Sequence, residues 1–154
     1  MHHELRRKDR SITETEAKEL LEHGEYGILS TCGPEGQPYG IPLSYCVIGD
    51  AVYFHSAVEG RKLTNIAGNN RVSFCVVGKT EVLPDQFATR YESVIVSGRA
   101  TEVFDDEKQQ ALEGLLSKYS AGFRTEGLNY IVAKWERTRV FRIGIDTICG
   151  KARR

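Results

Sequence analysis

One short segment of the chain, YFHSAVEGRK, gathers several hydrogen-bonding side chains around a single turn. His55 and Ser56 end a strand-like run, and Gly60 is followed directly by Arg61 and Lys62. A helix that begins near Gly60 would direct its free backbone amides and the positive end of its dipole toward the turn. The Ser56 hydroxyl and the two cations would add hydrogen bonds, and those that involve an ion contribute about 1.5–3 kcal/mol each. The segment therefore predicts a site for a phosphate monoester.

The same pattern also occurs as ordinary surface chemistry. A strand, a glycine turn and a basic first helical turn need no ligand, and a histidine at a strand end is usually just hydrogen-bonded. The segment lacks the GxxxxGK[ST] spacing of a P-loop, so it does not predict a nucleoside triphosphate site of that kind. Taken alone, the segment leaves open both a phosphate site and a solvated helix start.

The histidines and cysteines do not form a metal-binding pattern. His2 and His3 are adjacent in a polar N-terminal stretch, where a solvated tail is favoured over a chelating site. The four cysteines are scattered without a CxxC pair, whereas a zinc site needs closely spaced ligands. We therefore expect no metal site, and we expect Cys46 and Cys75, which lie in apolar runs, to pack as small core residues.

Composition and charge narrow the class of protein. The 154 residues include 21 Lys plus Arg and 21 Asp plus Glu, so the formal net charge is zero. A nucleic-acid-binding protein usually carries a basic excess and, for single strands, a basic aromatic surface, neither of which is found. No apolar run approaches the roughly 18 residues of a membrane span, and no signal peptide is recognised, so we expect a cytoplasmic protein without a membrane partner.

Hydrophobic periodicity predicts the helices. Residues 1–11 are polar and basic, which predicts a flexible tail, although its arginines and lysine could also contact a phosphate. Thr13 and Glu16 form a capping-box pattern at the start of the first helix, and Gly24 would end that helix. The other predicted helices begin near Gly60 and cover the segments DDEKQQALEGLLSKY and GLNYIVAKW.

The remaining elements are strand-like runs joined by tight turns. They are YGILST, PYGIPLSYCVI, AVYFHS, RVSFCVVG, YESVIVSGRATEV and TRVFRIGID. In the third run, alternation places Val52 and Phe54 on one face and Tyr53 and His55 on the other. Tight turns in place of crossover helices exclude a parallel sheet. We predict a mainly β fold with peripheral helices: an antiparallel split β-barrel of Greek-key type. It would be a single domain over residues 1–154, with helices at the N-terminus and in the C-terminal half.

Several segments, taken in order, resemble the FMN-binding split-barrel superfamily typified by pyridoxamine 5'-phosphate oxidase, and more narrowly its nitroimidazole-resistance branch. They are GQPYGIPLSY, YFHSAVEGRK and TRYESVIVSG, and their joint order is more specific than any one alone. The resemblance implies an FMN-dependent oxidoreductase that passes electrons through bound flavin to a small-molecule acceptor. That acceptor could be the nitro group of a 5-nitroimidazole, with NADH or NADPH as the donor.

The resemblance also implies which residues bind FMN. The strand along the isoalloxazine ring would consist of Tyr39, Gly40, Ile41, Pro42 and Leu43. His55 and Ser56 would stand at the ribityl and phosphate end, where Gly60, Arg61 and Lys62 would close on the phosphate.

Members of this superfamily are typically homodimers with two flavins between the subunits. Trp135 would then help to complete the partner's pocket, or it would serve as an ordinary core or interface aromatic. The segment WERTRVFRIGID does not match the substrate-binding pattern of pyridoxamine phosphate oxidase, so pyridoxamine phosphate is not the expected substrate.

His55 is the one candidate for catalytic proton transfer, because its pKa lies naturally near neutrality. The alternative to an enzyme is a flavin-binding protein without a substrate, or a relative that binds a deazaflavin or haem. In the haem case, His55 could ligate the iron.

Overall fold

The computed structural model describes residues 4–154, so the two histidines at positions 2 and 3 lie outside the described part. The described chain forms one antiparallel sheet and four α-helices. The strands are β1 (Gly27–Cys32), β2 (Pro38–Leu43), β3 (Cys46–Ile48), β4 (Ala51–Ser56), β5 (Arg71–Leu83), β6 (Ala88–Val103) and β7 (Arg139–Arg153). The helices are α1 (Glu14–His23), α2 (Arg61–Gly68), α3 (Asp105–Tyr119) and α4 (Arg124–Lys134). The predicted mainly β fold with peripheral helices is confirmed.

The sheet curls into a barrel because its two edge strands follow one another in the chain. The strand order is β2-β1-β5-β6-β7-β4-β3, which places β2 and β3 at opposite edges. Yet β2 ends at Leu43 and β3 begins at Cys46. Three peptide units extend over about 11 Å at most, whereas the edges of a flat sheet of this size would lie about 29 Å apart. The two edges must therefore meet.

The barrel is split where β2 and β4 separate. The three residues of β3 pair with Ala51, Val52 and Tyr53, so the end of β4 is paired on one side only, with β7. On the other side of the opening, β2 is paired with β1 along its whole length. The opposite edge of β2 is free and faces the opening. We call the opening between β2 and the last half of β4 the split.

Side chains that alternate along β4 belong to two separate hydrophobic clusters. Val52 and Phe54 point into the barrel core, where they pack with residues of α1, α2 and most strands. Tyr53 points outward into a second cluster, the outer core, formed with α3 and α4. His55 follows Tyr53 on the outer face and is exposed. The predicted two-faced strand is confirmed.

Two elements differ from the sequence-based expectation. The predicted strand PYGIPLSYCVI is broken at Ser44 and Tyr45, because the Tyr45 backbone N–H donates to the Tyr119 hydroxyl (3.1 Å) rather than to a strand. That hydroxyl in turn donates to the Glu25 carbonyl (2.6 Å). β5, β6 and β7 also extend several residues beyond the predicted runs, since β6 pairs along most of its length with β5 on one side and with β7 on the other.

The N-terminal basic segment contacts the barrel over part of its length. Residues Lys8–Arg10 form a 3-10 helix, and Ser11 makes an isolated bridge with Lys151 of β7. Arg7 forms an ion pair with Asp9 (2.7 Å). The flexibility expected for residues 1–11 stays a prediction.

The cysteines divide between core and surface. Cys46 is buried, as expected, and burial raises the pKa of its thiol to about 11. Cys75 is only partly buried, because its register beside Ile28 and Ile95 places it on the outer face of the sheet. Among the described helices, none is both long and apolar enough to span a membrane.

Candidate functional site

The predicted phosphate turn lies at one end of the split, where β4 leads into α2. Ser56 is 5% exposed, and its hydroxyl donates to the Ala57 carbonyl (2.9 Å). A phosphate contact would require that hydroxyl to turn. His55 projects from the opposite face of β4, so the two neighbouring side chains do not converge on one point.

Gly60 gives the turn its shape. Its φ of 148° lies in a region that is nearly restricted to glycine, and its carbonyl accepts the Thr64 amide (3.1 Å) as the first hydrogen bond of α2. Gly60 is the N-cap residue and makes no side-chain cap to this helix. The amides of Arg61, Lys62 and Leu63 therefore lack intrahelical partners and point out of the helix start.

Arg61 connects the turn to β2. Its guanidinium carbon lies 4.7 Å from the centroid of the Tyr39 ring, which is a cation–π distance. Two segments that the sequence predicted as parts of one site are thus in direct contact. Stacking occupies the face of the guanidinium and leaves its N–H donors free for an anion.

Buried polar contacts fasten α2 to the β1–β2 hairpin. Asn65 is buried, and its Nδ2 donates to the Thr31 Oγ1 (3.0 Å). The Thr31 hydroxyl donates onward to the Tyr39 carbonyl (3.4 Å). Sequence reasoning missed Asn65 and Thr31, although a lone amide between Leu63 and Ile66 of an apolar helix face is a usable signal.

β2 offers a flat strand edge beside this turn. Ile41 and Leu43 pack toward the barrel core, while Pro38, Gly40 and Pro42 are exposed on the other face. Proline is accepted in an edge strand where its missing N–H would point away from the sheet. Gly40 lies two residues from each of these prolines, so its backbone has the same orientation. Its N–H and C=O therefore point away from β1 and into the split.

Arg139 of β7 holds the loop that enters α2. Its Nε donates to the Glu102 Oε1 (2.7 Å), and its Nη1 donates to the Val58 carbonyl (3.3 Å). Val58 lies two residues before Gly60. Sequence reasoning missed Arg139, because no local pattern links it to a loop that is 81 residues away.

His55 lines an apolar groove between α3 and α4, with a volume of about 480 Å³. The ring keeps an exposed edge. Partial desolvation by the surrounding protein, and then the positive charge of Lys62, lower the pKa of His55. The neutral imidazole is therefore favoured near neutral pH. It can donate one hydrogen bond and accept another.

Trp135 follows α4 in a short 3-10 helix, Trp135–Arg137. The Lys108 Nζ donates to its carbonyl (2.9 Å) and lies 4.2 Å from its ring centroid, and the ring packs against the outer core. The contacts within one protomer are thus those of a core aromatic. A role for Trp135 across a subunit interface stays a prediction.

Comparison with known proteins identifies a family and several solved structures with a similar fold. The model of the pyridoxamine 5'-phosphate oxidase family matches residues 13–152. No curated protein matches the chain. A FAD-binding protein from Mesorhizobium loti is 26% identical, with a TM-score of 0.72 over 94% of this chain and 98% of that chain.

Two further solved structures share the fold at lower identity. A candidate 5-nitroimidazole antibiotic resistance protein from Bacteroides thetaiotaomicron is 19% identical, with a TM-score of 0.73 over 97% of this chain and 95% of that chain. The haem storage protein HutZ from Vibrio cholerae is 17% identical, with a TM-score of 0.66 over 88% of this chain and 92% of that chain.

Proposed function

The chain belongs to the pyridoxamine 5'-phosphate oxidase family, and we propose that it is an FMN-dependent oxidoreductase whose flavin lies across the split of the barrel. The observation that carries the proposal is the contact of Arg61 with Tyr39. It brings an uncapped helix start, two cations and a free strand edge into one opening. The flavin, when bound, supplies the two-electron redox chemistry, and the protein positions it and excludes competing reactions.

The start of α2 fits the phosphate of FMN. The free amides, the helix dipole and the charges of Arg61 and Lys62 all favour a dianion at this point. A Cβ built on Gly60 would meet nothing within 4 Å. Gly60 is needed there for its backbone conformation and not for room.

The edge of β2 fits the isoalloxazine ring. The outward N–H and C=O of Gly40 can pair with the polar edge of the ring, as in the addition of one more strand. Gly40 has no side chain, and Pro38 and Pro42 have compact ones, so a planar ring can approach the backbone closely. Ile41 and Leu43 help to hold the strand in place through the barrel core.

A homodimer with two FMN sites is part of the proposal, and the outer face of the sheet supports it. Two cross-strand rows on this face carry no charge. One row consists of Ser30, Ser73, Ser97 and Thr147. The next consists of Ile28, Cys75, Ile95 and Cys149. Ile95 is 45% exposed in the protomer, and an uncharged face of this kind can pack against its own copy about a twofold axis. The face borders β2, so a partner would lie beside the flavin, where Trp135 would help to complete the pocket.

The electron acceptor that we propose is a small molecule, with the nitro group of a 5-nitroimidazole-type compound as the leading candidate. NADH or NADPH would be the donor. The four cysteines are free thiols, which suits a reducing compartment such as the cytoplasm.

The first test of the proposal is flavin content. We expect the purified protein to bind one FMN per chain, to release it as the mononucleotide on denaturation, and to lose its yellow colour when NADH or NADPH is added without oxygen. A colourless protein that gains no flavin from excess FMN would contradict the proposal. Bound FMN that no nicotinamide reduces would favour a flavin-binding protein without this activity.

The groove beside His55 favours haem as a second candidate ligand. A neutral, partly exposed imidazole next to apolar walls is suited to ligate haem iron. Binding would shift the Soret band of added haem, and His55→Ala should abolish that shift. The absorption spectrum of the protein, after addition of haem or FMN, separates the two candidates.

Arg139→Ala is expected to weaken FMN binding by about threefold to tenfold, because the loop before Gly60 loses one restraining hydrogen bond. Arg139 acts through the loop at the phosphate end of the site. Riboflavin has no phosphate, so its binding should change little. The control is Arg142→Ala on the same strand, whose side chain forms an ion pair with Glu107 (3.8 Å) and not with the loop. Calorimetric titration of both variants with FMN makes the comparison. Equal affinities in the two variants would show that the loop needs no support from Arg139.

A further inference from the structure

Three arginines meet in one cross-strand row on the outer face of the sheet. Arg71 of β5 lies directly opposite Arg99 of β6, and Arg99 lies directly opposite Gly144 of β7. Residues that are opposite in this way point to the same face, with Cβ atoms about 5 Å apart. A Cβ built on Gly144 would lie 3.3 Å from the Nη1 of Arg142, so the guanidinium of Arg142 covers that glycine. We call Arg71, Arg99 and Arg142 the arginine row.

The positive charge of the arginine row is not neutralised within the described chain. Arg71 and Arg99 are exposed, and neither forms an ion pair with any of residues 4–154. Arg142 forms a long ion pair with Glu107 (3.8 Å). Like charges directly opposite one another on a sheet are destabilising, and the backbone pairing of β5 with β6 keeps these two side chains together. A bound anion would remove that repulsion.

Hydroxyl groups lie beside the arginines. Ser73 and Ser97 are opposite one another, two residues from Arg71 and Arg99 on the same face. Together with Arg71 they line a groove of about 530 Å³, and each hydroxyl can donate to an anion. Asp146 also lines this groove, but it is exposed and pairs with no cation in the part of the chain that the structure describes. The two serines belong to the uncharged face described above, so the arginine row lies at the border of that face.

We propose that the arginine row binds a phosphate group at a site separate from the flavin. The planar fork of a guanidinium matches two phosphate oxygens, and hydrogen bonds between ions are about twice as strong as neutral ones. Arg71 and Arg99 can hold one phosphate between them, and Arg142 can contact a second. A diphosphate group therefore fits the row, carried either by a free small molecule or by a lipid headgroup.

The arginine row and the proposed flavin phosphate site lie at opposite ends of α2. Arg61 begins that helix, whereas Arg71 follows its end. The eight residues of α2 span about 12 Å, which is too far for one phosphate to contact both ends. The inference therefore does not depend on the proposed function.

Pyrophosphate is the probe for this site. It is titrated into the full-length protein at constant ionic strength, and the chemical shifts of the backbone amides and of the arginine side chains are followed. We expect the shifts to centre on β5, β6 and β7 around the arginine row. Absence of shifts there, or shifts confined to the start of α2, would overturn the proposal.

Paired variants test whether the arginines make direct contacts. Arg71→Ala with Arg99→Ala should weaken pyrophosphate binding by about tenfold to a hundredfold, because two charge-assisted contacts are lost. Arg71→Lys with Arg99→Lys keeps the charge without the fork, and it should weaken binding by about threefold to tenfold. The control is Arg61→Ala with Lys62→Ala, which removes the same charge elsewhere and should leave binding at the row unchanged. If the lysine variant binds as well as the unmodified protein, a diffuse positive field is responsible and the proposal is wrong.

Vesicles with and without phosphatidic acid distinguish the two sources of the phosphate. Binding to phosphatidic acid vesicles that pyrophosphate displaces, and that the paired alanine variant loses, would support the site and assign it to a lipid headgroup. Pyrophosphate binding without vesicle binding would support the site and assign it to a free phosphate compound. Dissociation of a dimer by the paired alanine variant, with no change in pyrophosphate binding, would place the arginines in a subunit contact and overturn the proposal.

Repeating the pyrophosphate titration with FMN keeps this inference separate from the proposed function. Pyrophosphate binding at the row in a protein that binds no FMN would contradict the flavin proposal and support this site. FMN binding without pyrophosphate binding would overturn this site alone. Displacement of pyrophosphate from the row by one equivalent of FMN would also overturn it, because the arginines would then be part of the flavin site.

Discussion

Replacing Arg61 and Lys62 together by alanine is expected to weaken FMN binding by about two to four orders of magnitude. The double variant removes two charge-assisted contacts to the phosphate, each contributing about 1.5–3 kcal/mol. Riboflavin has no phosphate, so its weaker binding should hardly change. Titration of flavin-free protein with both ligands measures the difference directly.

The control for this prediction is the double variant Arg71→Ala, Arg99→Ala. These arginines are directly opposite one another on β5 and β6, so the control removes the same charge from another part of the barrel. It should retain FMN affinity within a few-fold. If the Arg61 and Lys62 variant binds FMN as well as the unmodified protein, or loses both ligands equally, the start of α2 does not bind the phosphate.

Gly98→Ala is expected to lower the free energy of unfolding by about 3 kcal/mol or more, enough to leave little folded protein if the barrel is marginally stable. A Cβ at this position would lie 1.9 Å from the Gly144 carbonyl oxygen and 3.1 Å from the Ile143 Cγ2. Both neighbours belong to β7, and the register between β6 and β7 shifts at this point. The clash is with a backbone atom, so the movement of a flexible side chain could not relieve it. The two paired strands would have to separate.

Urea unfolding followed by circular dichroism measures the effect of Gly98→Ala. The matched control is Gly122→Ala, because a Cβ at Gly122 would meet nothing within 4 Å. That variant should stay within about 0.5 kcal/mol of the unmodified protein. A Gly98→Ala protein as stable as the control would mean that β6 and β7 are farther apart than the structure has them.

Elements with a local cause were predictable from the sequence. The capping box at Thr13 and Glu16 is present, with both reciprocal hydrogen bonds at 3.1 Å, and α1 begins at the residue after Thr13. Likewise α2 begins directly after Gly60. A cap, a glycine turn or an alternating run acts within a few residues, so it is visible in the order of amino acids. The fold and the family followed from the order of such segments.

Breaks and extensions of strands had causes far along the chain. The interruption at Tyr45 depends on a hydroxyl that is 74 residues away, on Tyr119. The long pairing of β5, β6 and β7 depends on partners that each strand meets only in the folded barrel. Propensity within a window of ten residues carries no information about either.

The sequence by itself determined which chemical groups are available for a phosphate site: a glycine turn, a hydroxyl and two adjacent cations, with His55 on the opposite face of its strand. The tertiary structure decided which of them meet. Arg61 stacks on Tyr39, and Arg139 restrains the loop before Gly60, because closing the sheet brings β2, α2 and β7 around one opening. Such contacts depend on where strands lie in space after the barrel closes, and residues far apart in the chain carry no local mark of that arrangement.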